Sequence, residues 1–484
     1  MKTEGLSVGS DHVIAPSRMG LLVLLAVFVF VLAALVFWMI NRASLAAVLV
    51  ATPVGLALVT NPRWALYQFV FCCYLLFIVV ESVPLILLDI SALILIVAAF
   101  LDVTLSDRPP RRMPVIAWWY IAFVVVLCVS GIFGYAPERV IRPLARVVFL
   151  LGAFLGAYRL SRHVSPTRLL QAFFWLGVAH SLIALVPFIA SGGIARSFGF
   201  SLRILDELSM LALPVGVSFA VWSPRWRLSY LLGSLVVLGA LVGTQSRAPI
   251  GFGVLAAGFV LLVGWWRSRK SRSTSSSQID DVTVSASVAR RIGSLAVLAA
   301  VLPLVLVAVK PTLLLGVYER FDSLVRFEPT GTLLLRVQLW ERAMEAFLDH
   351  PVLGMGPAMF QHYGDVYPGA RFNPYTMYIS GLSAHNMTLH YLAETGLIGA
   401  GVVVGMFATQ FGIARRVWKK TRDKTMTATA SALYAIGLLL LVSTLIEAGW
   451  LFGGQAGFLA SFFMALISRA NQALRGPSGA PPST

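Results

Sequence analysis

Apolar runs of membrane-crossing length recur along almost the whole chain, each bounded by charge, Pro or Gly. A helix needs about 20 apolar residues to cross a hydrocarbon core of about 30 Å, so the pattern predicts about fourteen spans, or twelve if the two shortest do not cross. They fall near 19–40, 43–59, 64–81, 84–101, 115–133, 143–158, 169–190, 206–222, 228–243, 248–266, 292–309, 396–414, 426–446 and 456–469. The first run is too long for a signal-peptide core and lacks a small-residue cleavage site, so it is expected to be a retained anchor. The expected fold is an all-α polytopic membrane protein with one large helical loop on the outer side. Residues 1–309 would carry the first eleven spans, 310–395 the outer loop domain and 396–470 the last three spans. The Ser-rich loop 267–291 and the Pro/Gly/Ser-containing tail 471–484 read as disordered.

Composition agrees with this pattern. The 484 residues are 58% hydrophobic and 12% charged with a mean hydropathy of +0.83, whereas soluble domains carry about 25% charged residues. The net charge of +17 would point to nucleic acid in a soluble chain, but here its placement decides. With fourteen crossings, the side holding both termini carries 25 of the 38 basic residues against seven acids. The opposite side balances 13 basic residues with 13 acids, and Asp89 alone lies within a span. The positive-inside rule then makes both termini cytoplasmic, and the charge is a topology signal with no nucleic-acid partner implied. Cys72, Cys73 and Cys128 all lie in apolar runs, which excludes a disulfide framework and a Cys/His zinc site. No metal and no other cofactor is expected.

The outer segment 310–395 is unlike a linker. Apolar Leu335, Leu339, Ala343 and Phe347 predict an amphipathic helix over 332–349, which Pro351 and the turn Gly354–Pro357 end before a short second helix. Tyr363, Tyr367, Phe372, Tyr375 and Tyr378 follow. They fit either an interfacial aromatic cap or a stacking surface for sugar rings, with Tyr363, Tyr367 and Tyr375 as the glycan contacts. His385 is expected in the first turn of the next helix, where the macrodipole disfavours an imidazolium and a neutral ring can take a proton from a hydroxyl. A helix cap or a plain surface histidine is the competing account. His390 has no such placement and reads as a neutral control for His385.

Twelve of the 13 basic residues on this side are Arg. Arginine presents a planar fork that grips phosphate oxygens in pairs. Arg247, between two spans with almost no loop, sits where charge is costly, and Arg142 and Arg146 lie one helical turn apart at the end of another span. Arg196 and Arg203 flank the turn Ser197–Phe200. Any one of these suits a snorkelling anchor or an ion pair, while the set points to an anionic ligand at the membrane surface.

The sequence RVQLWERAMEAFLDHPVLGMGPAMF, followed by HNMTLHYLAETGLIG, resembles the signature region of the O-antigen ligase and polysaccharide polymerase family of bacterial inner membranes. The resemblance rests on Arg336 and Trp340 before a His-Pro-x-x-Gly-x-Gly turn, then His385–Asn386 and, after nine intervening residues, Gly396-Leu-Ile-Gly399; Ser246-Arg-Ala-Pro249 looks like a further element. It covers about 240–410, and the N-terminal half matches in hydropathy alone.

The resemblance implies a periplasmic-face glycosyltransferase of the inner membrane. Its donor would be a glycan on undecaprenyl diphosphate, its acceptor a glycan or lipid A core, and a chain-length regulator is a possible partner besides the bilayer. Transfer would be metal-independent and inverting, with His385 as catalytic base and Arg247 and Arg336 binding the donor diphosphate. Arg142, Arg146, Arg196 and Arg203 join them by topology rather than by motif. About fourteen spans, against the roughly twelve associated with ligases, lean towards polymerisation of surface-polysaccharide repeat units, with ligation to lipid A core as the alternative. A lipid-linked glycan flippase or other transporter is the remaining alternative, and it would favour more ionisable groups near mid-membrane than Asp89.

Overall fold

The computed structural model describes residues 54–75, 84–105, 113–191, 202–223, 227–244, 246–274, 332–362, 382–445 and 454–474. Every regular element among them is helical: α1 Pro62–Leu75, α2 Pro84–Thr104, α3 Val115–Ile132, α4 Ile141–Leu160, α5 Pro166–Ala190, α6 Leu202–Trp222, α7 Arg227–Gly243, α8 Arg247–Thr274, α9 Thr332–Asp349, α10 Met387–Lys420, α11 Lys424–Ser443 and α12 Gly454–Ala473. Single 3-10 turns occupy Pro137–Val140 and Phe360–His362. Among the described residues seven helices are long and apolar enough to cross a membrane, so this is a multi-span membrane protein. The expected total of about fourteen is not confirmed, because 19–40 and 292–309 lie outside the described residues. The expected linker loses its first residues to structure, since α8 runs on through Thr274.

Several helices begin where the sequence supplies a cap. Ser165 accepts from Arg168 N ahead of Pro166, Asp423 from Met426 N, and Asn386 from Leu389 N. Each side chain satisfies one of the amide groups a helix start leaves open. Pro166 at the first helical position loses nothing by lacking an N–H.

Lipid has no hydrophobic preference for one apolar helix face over another, so burial follows packing and polar contacts. The α6 window Leu205–Trp222 is 89% buried, walled by α5, α7, α8 and α11, whereas the α4 and α8 windows are 33% buried and present Ile141, Val148, Leu255 and Leu262 outward. Hydroxyl groups join the interior helices, as in Tyr74 to the Phe173 carbonyl at 2.8 Å, Tyr120 with Ser461 at 2.7 Å, and Ser218 to the Ala428 carbonyl at 2.7 Å. Ion pairs pin α2 to α4 at both ends. Near the start of each, Arg146 bonds Asp89 at 2.8 Å; at the other end, Asp102 takes Arg159, Arg162 and His163 at 2.7, 2.6 and 2.8 Å.

Candidate functional site

A break in α10 organises the site. Gly396 has φ 63° and ψ −164°, a conformation essentially confined to glycine, and it interrupts the helical ladder between a short first segment and the long span. In an unbroken helix the amides of Leu397 and Ile398 would bond to the carbonyls of Ala393 and Glu394. The turn 350–356 supplies both halves of what is missing. Pro351 and Val352 carbonyls accept from Leu397 N and Ile398 N at 2.8 and 3.5 Å, while Met355 N and Gly356 N donate to Ala393 O and Glu394 O at 2.9 and 3.0 Å. The end of α3 closes the joint, with Ser130 Oγ bonding the carbonyls of Leu353 and Glu394, Tyr135 N donating to Met355 O, and Tyr135 Oη meeting His350 Nε2 at 2.7 Å.

The His-Pro-x-x-Gly-x-Gly motif is therefore a structural lock. Gly354 has φ 70°, and a Cβ there would overlap the Glu394 carbonyl carbon; one on Gly396 would overlap Val352. Gly354→Ala combines left-handed strain of about 1–2 kcal/mol with forced overpacking of similar size. It is expected to lower the melting temperature of the purified protein markedly, and an unchanged melting curve would show that the turn does not hold the break.

Helix α9 lies on this lock. Its buried side carries Leu339, Ala343 and Ala346, packed with Met355, Met359, Phe360, Ala384 and Ala393 in a small core separate from the main bundle. The helix bounds match the expectation, and the stripe ends one residue earlier than expected, at Ala346 rather than at the half-buried Phe347. The expected second helix after the turn is the 3-10 turn Phe360–His362.

Trp340 Nε1 donates to the Ala384 carbonyl at 3.0 Å. This bond ties α9 to the corner 382–386, and Arg336 stands one turn before Trp340 on the same helix. His385 follows the bonded carbonyl. It lies outside the helix rather than in its first turn: Asn386 is the cap, and His385 adopts φ 46°, left-handed backbone that is uncommon outside Gly but that His, like Asn and Asp, adopts more often than other residues. Such strain at one residue of a polar corner is common at functional sites.

The arginines separate into classes. Arg336 is half-buried on α9, and Arg142 is exposed at the start of α4. Arg146 bonds Asp89 and lies 4.3 Å over the Phe458 ring, so it already holds two helices together. The backbones of Arg203 and Arg247 start α6 and α8, and nothing further is described for their side chains. Arg196, Tyr363, Tyr367 and Tyr375 lie outside the described residues.

Sequence reasoning missed two features. Arg139, in the 3-10 turn three residues past Ala136 of the small core, has its Nη1 buried with no hydrogen-bond partner among the described residues. A guanidinium nitrogen out of water without an acceptor is costly, and an anion would relieve it. The second feature is His390, which is no neutral control: it is 5% exposed, its Nε2 lies 3.5 Å from Glu394 Oε2, and Glu394 Oε1 accepts from Phe360 N at 3.2 Å. The signal was present as His and Glu four residues apart on one helix. Among the described residues no cluster of metal-ligating side chains occurs.

A comparison with curated proteins gave no match. Residues 232–404 match the family model described as O-antigen ligase, a stretch that takes in α8, α9, the lock and the kink of α10. Through this match, and through the motif residues that lock its parts together, the chain carries at 232–404 the domain of the O-antigen ligase and polysaccharide polymerase family.

Proposed function

We propose that the protein transfers a glycan from undecaprenyl diphosphate to a sugar hydroxyl on the periplasmic face of the bacterial inner membrane. The observation that carries this reading is the Trp340–Ala384 bond, which holds the arginine-bearing helix α9 against the strained corner at His385. The family supports a glycosyltransferase-like enzyme, and the charge distribution supports cytoplasmic termini with α9 outside.

In this mechanism the acceptor hydroxyl passes its proton to the His385 imidazole as its oxygen attacks the anomeric carbon. The bond from that carbon to the diphosphate oxygen breaks on the opposite side, and its electron pair leaves with the lipid diphosphate. The anomeric centre inverts. Charge grows on the leaving group as the bond breaks, and fixed guanidinium groups stabilise it. Arg336, on the helix bonded to the corner, and Arg139, with its buried Nη1, are assigned to the diphosphate, with Arg142 and Arg247 as further donors to the same anion. Arg146 contributes as a helix tie.

Polymerisation and ligation share this chemistry and differ in acceptor. Both acceptors fall within the family that the match supports, and the lean towards polymerisation rests on the expected count of about fourteen spans. Deletion in the source bacterium tests both. Long chains left on the lipid carrier identify a ligase, single repeat units there identify a polymerase, and unaltered surface polysaccharide overturns the proposal. In the same bacterium expressing the protein, a membrane-impermeant maleimide should reach a cysteine placed at Gln361 and not one at Arg416.

A further inference from the structure

At the end of the bundle remote from the lock, a cleft of about 370 Å³ opens between α2, α4 and α12. Arg159 at its mouth stands 17 residues after Arg142 on α4, about 26 Å at 1.5 Å per residue. Its walls include Ile96, Phe100 and Leu155, and its mouth carries Arg159, Arg162 and Arg469. Among the described residues no carboxylate lines it. Asp102 lies behind the mouth, 9% exposed, and fixes two of the three guanidinium groups: Arg159 donates Nε to Oδ2 and Nη2 to the Asp102 carbonyl, and Arg162 donates Nη2 to Oδ1. On the facing wall Arg469 donates to the neutral Gln472 Oε1 at 2.6 Å.

We infer that this cleft binds an anionic glycerophospholipid, its phosphate against Arg159, Arg162 and Arg469 and one acyl chain along Ile96, Phe100 and Leu155. The cleft lining brings three guanidinium groups together, two of them bonded to Asp102. Asp102 holds two of them in place, so little side-chain freedom is lost when they meet a phosphate. Purely soluble anions have no use for the apolar walls, and an uncharged lipid has none for the mouth. Phe100, Val103 and Met113 around the opening are exposed, as residues facing acyl chains are in a membrane protein. Basic clefts between helices at the cytoplasmic side suit anionic head groups, and the charge count puts this end there. The occupant would grip α2, α4 and α12 together, so it is expected to act on stability and to be independent of the transfer reaction.

The test uses the purified full-length protein in nanodiscs of phosphatidylcholine, with and without phosphatidylglycerol. Phosphatidylglycerol should raise the melting temperature of the parent by about 3–6 °C, the size expected when a ligand binds only the folded state. Arg162→Gln/Arg469→Gln should lose that rise, whereas Arg415→Gln/Arg416→Gln, which removes exposed cations from the same end, should keep it. If the groove variant is unstable in phosphatidylcholine alone, the single Arg469→Gln variant carries the comparison. An equal rise in the groove variants overturns the inference as a surface-charge effect. An equal rise from soluble glycerol 3-phosphate in phosphatidylcholine discs also overturns it, by showing a simple anion site.

Discussion

Arg336→Lys is expected to lower glycan transfer by about ten- to a hundredfold at unchanged membrane abundance. Lysine keeps the charge and the stem that packs along α9, but it replaces two parallel donors with a single mobile ammonium. Hydrogen bonds to charged groups contribute about 1.5–3 kcal/mol, and loss of one that forms fully only as the diphosphate departs falls on the rate by the corresponding factor. Arg139→Lys should follow the same direction, because among the described residues its buried Nη1 has no partner to lose. A contrasting result is expected at Arg146, where Lys can still pair with Asp89 and transfer should stay within a few fold of normal. The measurement is single-turnover transfer from a purified lipid diphosphate donor. Full activity of both Arg336→Lys and Arg139→Lys would make these arginines anchors and remove the metal-free account of leaving-group stabilisation.

Reading the sequence recovered what is local. Span-length apolar runs, the bounds of α9 and the end of the first α10 segment at Gly396 each depend on neighbours within a few residues, so periodicity and glycine placement reveal them. The lock was not legible, because it is an exchange of backbone hydrogen bonds between 351–356 and 393–398, and peptide groups carry no side-chain signature of their partners. The glycines were visible and their reason was not: Gly354 and Gly396 are small because each faces the other's strand of backbone. The ion pair of Arg146 with Asp89 was half visible. A lone carboxylate in an apolar run called for a cation, but only the packing of α2 on α4 shows which one.

His385→Gly is expected to abolish most transfer while leaving the protein as stable as the parent or slightly more so. The two effects separate because they have different origins. At φ 46° a side chain strains the backbone by roughly 1 kcal/mol, and glycine removes that strain. Asn386 remains to cap α10 through Leu389 N, and Trp340 still bonds the Ala384 carbonyl, so the corner keeps its ties. Only the imidazole is gone. A general base contributes about 10²–10⁴-fold, and a loss of that size cannot come from folding if the melting temperature has held or risen. His385→Asn should behave alike, since asparagine tolerates the same backbone but is a poor base. His390→Ala makes no control here, because it strips a partner from buried Glu394 and should lower stability and activity together. Asn386→Ala is the better one: loss of the cap costs about 1 kcal/mol, and the rate at matched abundance should change little. Added imidazole should restore part of the activity of His385→Gly, where the vacated volume and the intact backbone leave room for the ring, and not that of Arg336→Lys. Transfer at the parental rate by His385→Gly would reduce this histidine to a strained corner residue and require another group to take the acceptor proton.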